Sequence, residues 1–351
     1  MPPSSTDDHV KLPASGRRPT MAEIARIAGV DTSTVSRALA GSPRVTKETR
    51  ALIDKIVRET GYVVNETARH LRGGRANQIL VIVSDIAAPF YSDVVQGIVE
   101  TLAERGINVL LGVTLRQPKR EAQLAKQLLT GVVDGIITVT GSIPKSILNM
   151  PGFERKVIAI SRPVPYEGVT CVTIDNYSAT KQVMQHLRQM GHRHIVYIGG
   201  PNYSETYRDR SAAYADFMRE NGLDEFINMR STDTFNDDAE SGLEIMRSIL
   251  EDGIRPTAVF CATDELAIGA MAAARQADQT IPEDMSFFGF DDLKLTPLMS
   301  PPLSTVSVPR FEMGRSGAEA LFRQVYKAAP VSTKVVLEHR LIFRKSVSKI
   351  A

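Results

Sequence analysis

The sequence predicts an α/β protein: a small helical module at the N-terminus, then a larger body of parallel sheets covered by helices. Three observations lead there. From Asn77 onward, short continuous apolar runs alternate with helix-period segments, the pattern of strands buried on both faces. Ahead of them, residues 20–39 read TMAEIARIAGVDTSTVSRAL, two short helical patterns joined at a glycine. Charge is also uneven. The net is +2, but residues 17–75 carry 12 Lys/Arg against 6 Asp/Glu, which leaves the remainder at −4. A basic module on a mildly acidic body suits nucleic-acid contact at one end only.

Thr20 and Glu23 are spaced as a capping box and start the first helix. Ile24, Ile27 and Ala28 give it one buried face, and Gly29 ends it. Asp31 caps a second helix in which Val35 and Leu39 lie one turn apart. The rest of that helix is polar: Thr32, Ser33, Thr34, Ser36 and Arg37. Two helices with a tight Gly-containing turn form a helix-turn-helix, whose second helix enters a DNA major groove; the alternative is an αα-hairpin without that role. After the loop 40–44, Thr46 caps a third helix with a stripe of Leu52, Ile53, Ile56 and Val57, ended by Gly61. Next comes NETARHLR (65–72), which Asn65 can cap and Gly73-Gly74 stops. With only Ala68 and Leu71 to pack, a helix this short is marginal alone. Either it is a linker, or it folds when two copies meet DNA, with Leu71 wedged into the minor groove.

In the body, strands are expected at 79–83, 109–113, 135–139, 157–160, 172–174, 195–198, 258–261 and 286–290, with helices between them. They fall into two runs, about 77–174 and 175–303. Ligands of such sheets bind beyond the carboxyl ends of the strands, so the loops there are the candidate site.

Composition excludes other classes. No apolar run approaches the roughly 18 residues of a membrane helix. The first 19 residues hold acidic residues and four prolines and read as a disordered tail, not a signal peptide. Cys171 and Cys261 sit in apolar runs as small hydrophobes, consistent with a reducing cytoplasm. The dinucleotide, P-loop and nucleophile-elbow motifs are absent. His186, His192 and His194 are read as structural, so no metal and no cofactor is expected. An enzyme on the α/β body is the second hypothesis, and a pure ligand carrier the third.

Several motifs in order resemble the lactose-repressor-like (LacI/GalR) family of transcription factors, from Thr20 to near the end: EIARIAGVDTSTVSRAL, GYVVNETARHLR, VDGII (133–137), GHRHI (191–195), ATDELAIGA (262–270), GFDD (289–292) and PPLSTV (301–306). The resemblance implies a headpiece at 19–62 after a tail at 1–18, and a hinge helix and linker at 63–76. It also implies a periplasmic-binding-protein-like core of two subdomains, 77–174 plus 308–334 and 175–307 plus 335–351. The implied activity is a homodimeric, DNA-binding repressor, not an enzyme, controlled by a small metabolite in the interdomain cleft. An effector-activated or corepressor-dependent regulator of the same fold is the alternative. No heptad-bearing helix follows Phe343, so a dimer on a near-palindromic duplex is expected.

Thr32 and Ser33 are then expected at base edges and Arg37 at a guanine, with Thr34, Ser36, Arg44 and Thr46 on phosphates. Thr20, Met21, Asn65, Ala68, Leu71 and Arg72 complete the expected DNA contacts. The expected effector residues are Phe90 and Tyr91, Ser161 and Arg162, Arg210 (ahead of Tyr214), Phe235, Thr263 and Asp264, Asp291, and Arg310. Asp291, at a strand end, is placed to accept paired hydroxyl hydrogen bonds. Three arginines lean toward an acidic or phosphorylated sugar over a neutral one. Neutralisation of these arginines by Asp264 and Asp291 is the alternative.

Overall fold

A computed structural model of the chain describes residues 19–62, 75–164, 166–200, 204–231 and 237–350. It divides into two compact units, Met1–Gly74 and Arg75–Ala351. In the first, α1 (Met21–Ala28), α2 (Thr32–Leu39) and α3 (Lys47–Thr60) start and stop where their caps dictate. The Thr20–Glu23 capping box forms in both directions, and Gly29 and Gly61 take left-handed φ values of 64° and 63° at the C-caps. Asp31 accepts from Ser33 N at 2.7 Å, and Thr46 Oγ1 from Thr49 N at 3.2 Å. Ile24, Ala25, Ala28, Val35, Ala38, Ile53, Ile56 and Tyr62 form the small core. Tyr62, from beyond the third helix, closes it.

The second unit contains two parallel sheets. Its first run of elements is β1 (Gln78–Val83), α4 (Pro89–Ala103), β2 (Asn108–Val113), α5 (Pro118–Leu129), β3 (Gly135–Thr138), α6 (Lys145–Leu148), β4 (Val157–Ile160) and β5 (Thr170–Ile174). Next come α7 (Asn176–Gln189), β6 (Ile195–Gly199), α8 (Glu205–Glu220), β7 (Asn228–Ser231), α9 (Ala239–Glu251), β8 (Ala258–Cys261), α10 (Asp264–Gln276) and β9 (Ser286–Phe288). The chain ends with β10 (Thr305–Ser307), α11 (Arg310–Tyr326), β11 (Lys334–Leu337) and β12 (Arg340–Ile342). The strand orders are β11-β5-β4-β3-β1-β2 and β7-β6-β8-β9, while β10 and β12 pair antiparallel. The chain thus passes from the first sheet to the second after β5, back through α11, and over again into β12.

Strands β3, β4, β5 and β8 are buried at every residue, which is why they read as continuous apolar runs. Strands β7, β10 and β11 lay outside the sequence expectations. β7 (NMRS) and β11 (KVVL) are edge strands with only alternate residues partly covered, so neither carries an apolar block. β11 pairs with β5. Residues 335–337, expected in the second subdomain, therefore lie on the first sheet.

Each sheet is backed by a helix pair packed backbone to backbone. A Cβ added at Gly314 of α11 would strike the Val94 carbonyl oxygen of α4, and one at Gly97 of α4 would strike that of Phe311. The α9–α10 pair repeats the device: a Cβ at Gly242 would meet the Leu266 carbonyl and one at Gly269 that of Ala239. Backbone obstacles cannot rotate away, so Gly314→Ala should force the α4–α11 pair apart. The expected loss is about 1–3 kcal/mol of stability, read as a lower midpoint in urea unfolding. An unchanged midpoint would mean the pair has slack.

Candidate functional site

The loops at the carboxyl ends of the strands converge on two adjoining cavities. The smaller, about 50 Å³, is lined by Phe90, Tyr91, Ser161, Arg162, Arg210, Thr263 and Asp291, together with Thr206, Tyr207, Asp237 and Glu265. The larger, about 270 Å³, lies over the ends of β2 and β3 and shares Arg162 and Asp237 with it. Left-handed φ in non-glycine residues gathers here: Leu115 and Arg116 after β2, Ser161 after β4, and Asp291 (φ 114°) and Asp292 (φ 56°) after β9. Such conformations cost on the order of 1–3 kcal/mol each and persist where surrounding contacts enforce them.

Each wall residue is held from behind. Pro89 opens α4 at a position where its missing N–H is no loss, which sets Phe90 and Tyr91 at the cavity; their rings meet edge to face at 5.7 Å. The Tyr91 hydroxyl is 2.6 Å from Ser84 Oγ. Arg210 is 4% exposed and lies over the Phe290 ring at 3.5 Å. Its Nε and Nη2 donate to Asn176 Oδ1 at 3.0 and 2.8 Å, and its Nη1 donates to the Ala262 carbonyl. Arg162 pairs with Asp237 at 3.3 Å, Arg116 with the same carboxylate at 3.5 Å, and the Tyr207 hydroxyl donates to it.

Asp291 differs from its neighbours. It is 5% exposed, and among the described residues no donor reaches its carboxylate. Burial pushes its pKa up to about 6, against the pull of Arg210 and Arg310. Burial and the charge of Asp237 likewise raise Glu265 to about 7.

Two expected effector residues stand elsewhere. Asp264 is fully buried beneath the cleft, where Oδ2 accepts from Leu293 N at 2.8 Å and Oδ1 from Thr305 Oγ1 at 2.6 Å. It ties Leu293 and Thr305 together behind Asp291, with both of its oxygens engaged; burial raises its pKa far above the carboxylate range. Arg310 lines neither cavity. Its Nη2 donates to Asp93 Oδ2 at 2.9 Å and to the Asp292 carbonyl at 3.1 Å, and its Nη1 to the Asp291 carbonyl. Phe235 lies outside the described residues. Thr206, Tyr207, Asp237 and Glu265 were not foreseen, although Tyr207 stands one turn before Arg210 on α8.

On α2, Val35 and Ala38 are buried while Thr32, Ser33 and Arg37 are exposed and Thr34 and Ser36 half-buried. Arg44 is exposed on the following loop, which Arg50 Nη2 fastens at the Ser42 carbonyl (2.6 Å). Thr20 and Thr46 are exposed caps and Met21 is half-buried. Asn65, Ala68, Leu71 and Arg72 lie outside the described residues. Among the described residues no group of three His, Cys, Asp or Glu could hold a metal, and no helix is long and apolar enough to cross a membrane. His192 is 1% exposed between Thr257 Oγ1 and the Ser348 carbonyl, each at 3.1 Å.

Asp291 makes a pH prediction. Its folded pKa lies above its unfolded value, so the folded state binds its proton more tightly. The stability cost is absent below about pH 4, grows as pH rises and is complete above about pH 6. Asp291→Asn should therefore stabilise the ligand-free protein at pH 7 by about 1–3 kcal/mol, with the gain fading toward pH 4. A variant no more stable than the parent at pH 7 would contradict the unpaired carboxylate.

Residues 20–65 match the family described as bacterial regulatory proteins, lacI family, and residues 184–347 match a periplasmic binding protein-like domain. The HTH-type transcriptional repressor CytR of Escherichia coli (strain K12) is 33% identical over 331 residues, covering 93% of this chain and 96% of that protein. A solved complex of the transcriptional regulator CelR with cellobiose is 29% identical, with a TM-score of 0.68, covering 94% of this chain and all of that one. A Lac repressor dimer bound to operator and the anti-inducer ONPF has a TM-score of 0.81 at 24% identity over 95% of this chain and all of that one, a likeness of fold. A basic helix-turn-helix, a polar exposed face on its second helix and a doubly wound body with a cleft thus coincide with these matches over nearly the whole length: the chain belongs to the lacI family of bacterial regulatory proteins.

Proposed function

We propose that the protein is a cytoplasmic, homodimeric transcriptional repressor that binds a near-palindromic operator, its affinity for DNA set by a neutral, hydroxyl-rich sugar in the cleft. The observation that carries the effector half is the Asp291 carboxylate. It is buried, without a donor among the described residues, and framed by aromatic rings at Phe90 and Tyr91. A carboxylate of that kind accepts hydroxyl hydrogen bonds and repels an anion. The acidic-ligand leaning drawn from three arginines loses its support, because Arg310 is spent on Asp93 and two carbonyls and Arg162 on Asp237. Asp237 and Asp93 thus pair with Arg162 and Arg310, while Asp291 is the acid whose charge acts on Arg210. The sugar class also agrees with CelR, a relative whose solved complex contains cellobiose.

On the DNA side, α2 presents Arg37 with Thr32 and Ser33 on its exposed face, and a bidentate Arg–guanine contact discriminates by about 1–3 kcal/mol. The test selects duplexes from a random pool with the full chain, then titrates the selected site with monosaccharides and disaccharides present. A near-palindrome should emerge. Arg37→Ala should weaken it by about 1–3 kcal/mol and relax one base position in each half-site. Asp291→Asn should keep the sugar-free affinity and lose the sugar response. Recovery of no preferred sequence, or a sugar response that survives Asp291→Asn, would overturn the reading.

A further inference from the structure

We propose that the cleft takes a glycoside of two linked sugar rings, one ring edge on Asp291 and the second ring in the larger cavity over β2 and β3. This rests on the sugar reading above and deepens it from a ligand class to a ligand size and shape. The first argument is room. By the measure in which one water needs about 10–15 Å³, the compartment at Asp291 (about 50 Å³) holds about four non-hydrogen atoms and the adjoining one (about 270 Å³) about twenty. A single ring overfills the first and leaves most of the second to water. The two adjoin at the paired side chains of Arg162 and Asp237, which line both. A ligand seated on Asp291 therefore extends past the Asp237 carboxylate, which Arg116, Arg162 and Tyr207 hold in place.

The second argument is the chemistry of the larger wall. Thr114, Gln117, Thr140 and Ser142 bring hydroxyl and amide groups to it. Glu121, 6% exposed, brings a carboxylate whose Oε1 accepts from Thr140 Oγ1 at 2.6 Å. Ser204, at the start of α8, also lines this wall. Among the described residues no aromatic side chain lines this compartment. Its occupant is thus gripped by hydrogen bonds around its rim and not by stacking on its face, which suits a second sugar and not a nucleobase.

The experiment is calorimetry on the full chain with cellobiose, maltose and lactose, their component monosaccharides glucose and galactose, and uridine as a glycoside with a flat second ring. At least one disaccharide should bind ten-fold or more tightly than its own monosaccharides. Ser142→Phe, at an exposed position on the cavity rim, should weaken that disaccharide ten-fold or more and leave the monosaccharide within two-fold. Gln117→Ala, with its melting curve as a folding control, should act in the same direction. Asp291→Asn should weaken both sugars. A monosaccharide that binds as tightly as every disaccharide, or a disaccharide indifferent to both Ser142→Phe and Gln117→Ala, overturns the two-ring proposal and leaves the sugar cleft standing. Uridine binding more tightly than all three disaccharides overturns the second-sugar assignment. Heat from none of the sugars overturns this proposal together with the neutral-sugar reading beneath it.

Discussion

The cleft depends on one buried guanidinium. Arg310 begins α11 at the point where the chain returns to the first sheet, and it holds three groups at once: the Asp93 carboxylate on α4 and the carbonyls of Asp291 and Asp292. Those two carbonyls belong to consecutive left-handed residues, a turn that would relax without a restraint. Arg344 grips the same turn from its other side, with Nη2 on Asp292 Oδ1 at 2.6 Å and Nη1 on the Leu303 carbonyl at 2.7 Å. The outcome is that Asp291 presents to the cavity a carboxylate that no donor among the described residues reaches, while its backbone is fixed. Removing one partner from a buried charged cluster costs far more than the cluster contributes, because the remaining charge is stranded. Without Arg310, Asp93 would keep only the exposed Lys294, at 2.7 Å, among the described residues.

This arrangement explains what the sequence showed and what it concealed. Caps and buried strands are local, so Thr20–Glu23, Gly29, Gly61 and runs such as VIAI and AVFC reveal their elements directly. Edge strands lack that signature, and β7 and β11 stayed hidden. Asp291 was placed at the cavity by its position after an apolar strand, a signal it shares with Asp264, which follows β8 and is tied to Leu293 and Thr305 instead. Arg310 and Asp264 were misplaced because a sequence displays charges but not their partners: Asp93 is 217 residues from Arg310, and Thr305 is 41 from Asp264. The larger cavity left no trace in any motif, since its wall is assembled from scattered residues of several segments, among them Thr114, Gln117, Glu121, Thr140, Ser142 and Glu205, that read individually as ordinary loop and helix residues.

The body combines stiff layers with a strained seam. Backbone-to-backbone helix pairs behind each sheet, α4–α11 and α9–α10, leave little freedom to deform. Leu115, Arg116, Ser161, Asp291 and Asp292, all left-handed, lie instead after the strand ends near the cavities. A ligand seated there touches loops from both sheets, so its binding energy acts on their relative placement and not on either core. That is the physical basis for reading the cleft as a regulatory site: a ligand shifts a conformational equilibrium by as much as it prefers one arrangement over another.

The most direct measurement is the titration of the Asp291 carboxyl carbon by NMR, assigned through Asp291→Asn, without and with a saturating bound sugar. Without ligand the midpoint should lie near 6, held up by burial. With sugar hydroxyls donating to the ionised form it should fall by a unit or more. A ligand-free midpoint in the ordinary carboxylate range, or one that a bound sugar leaves unmoved, would contradict the central role given to this carboxylate.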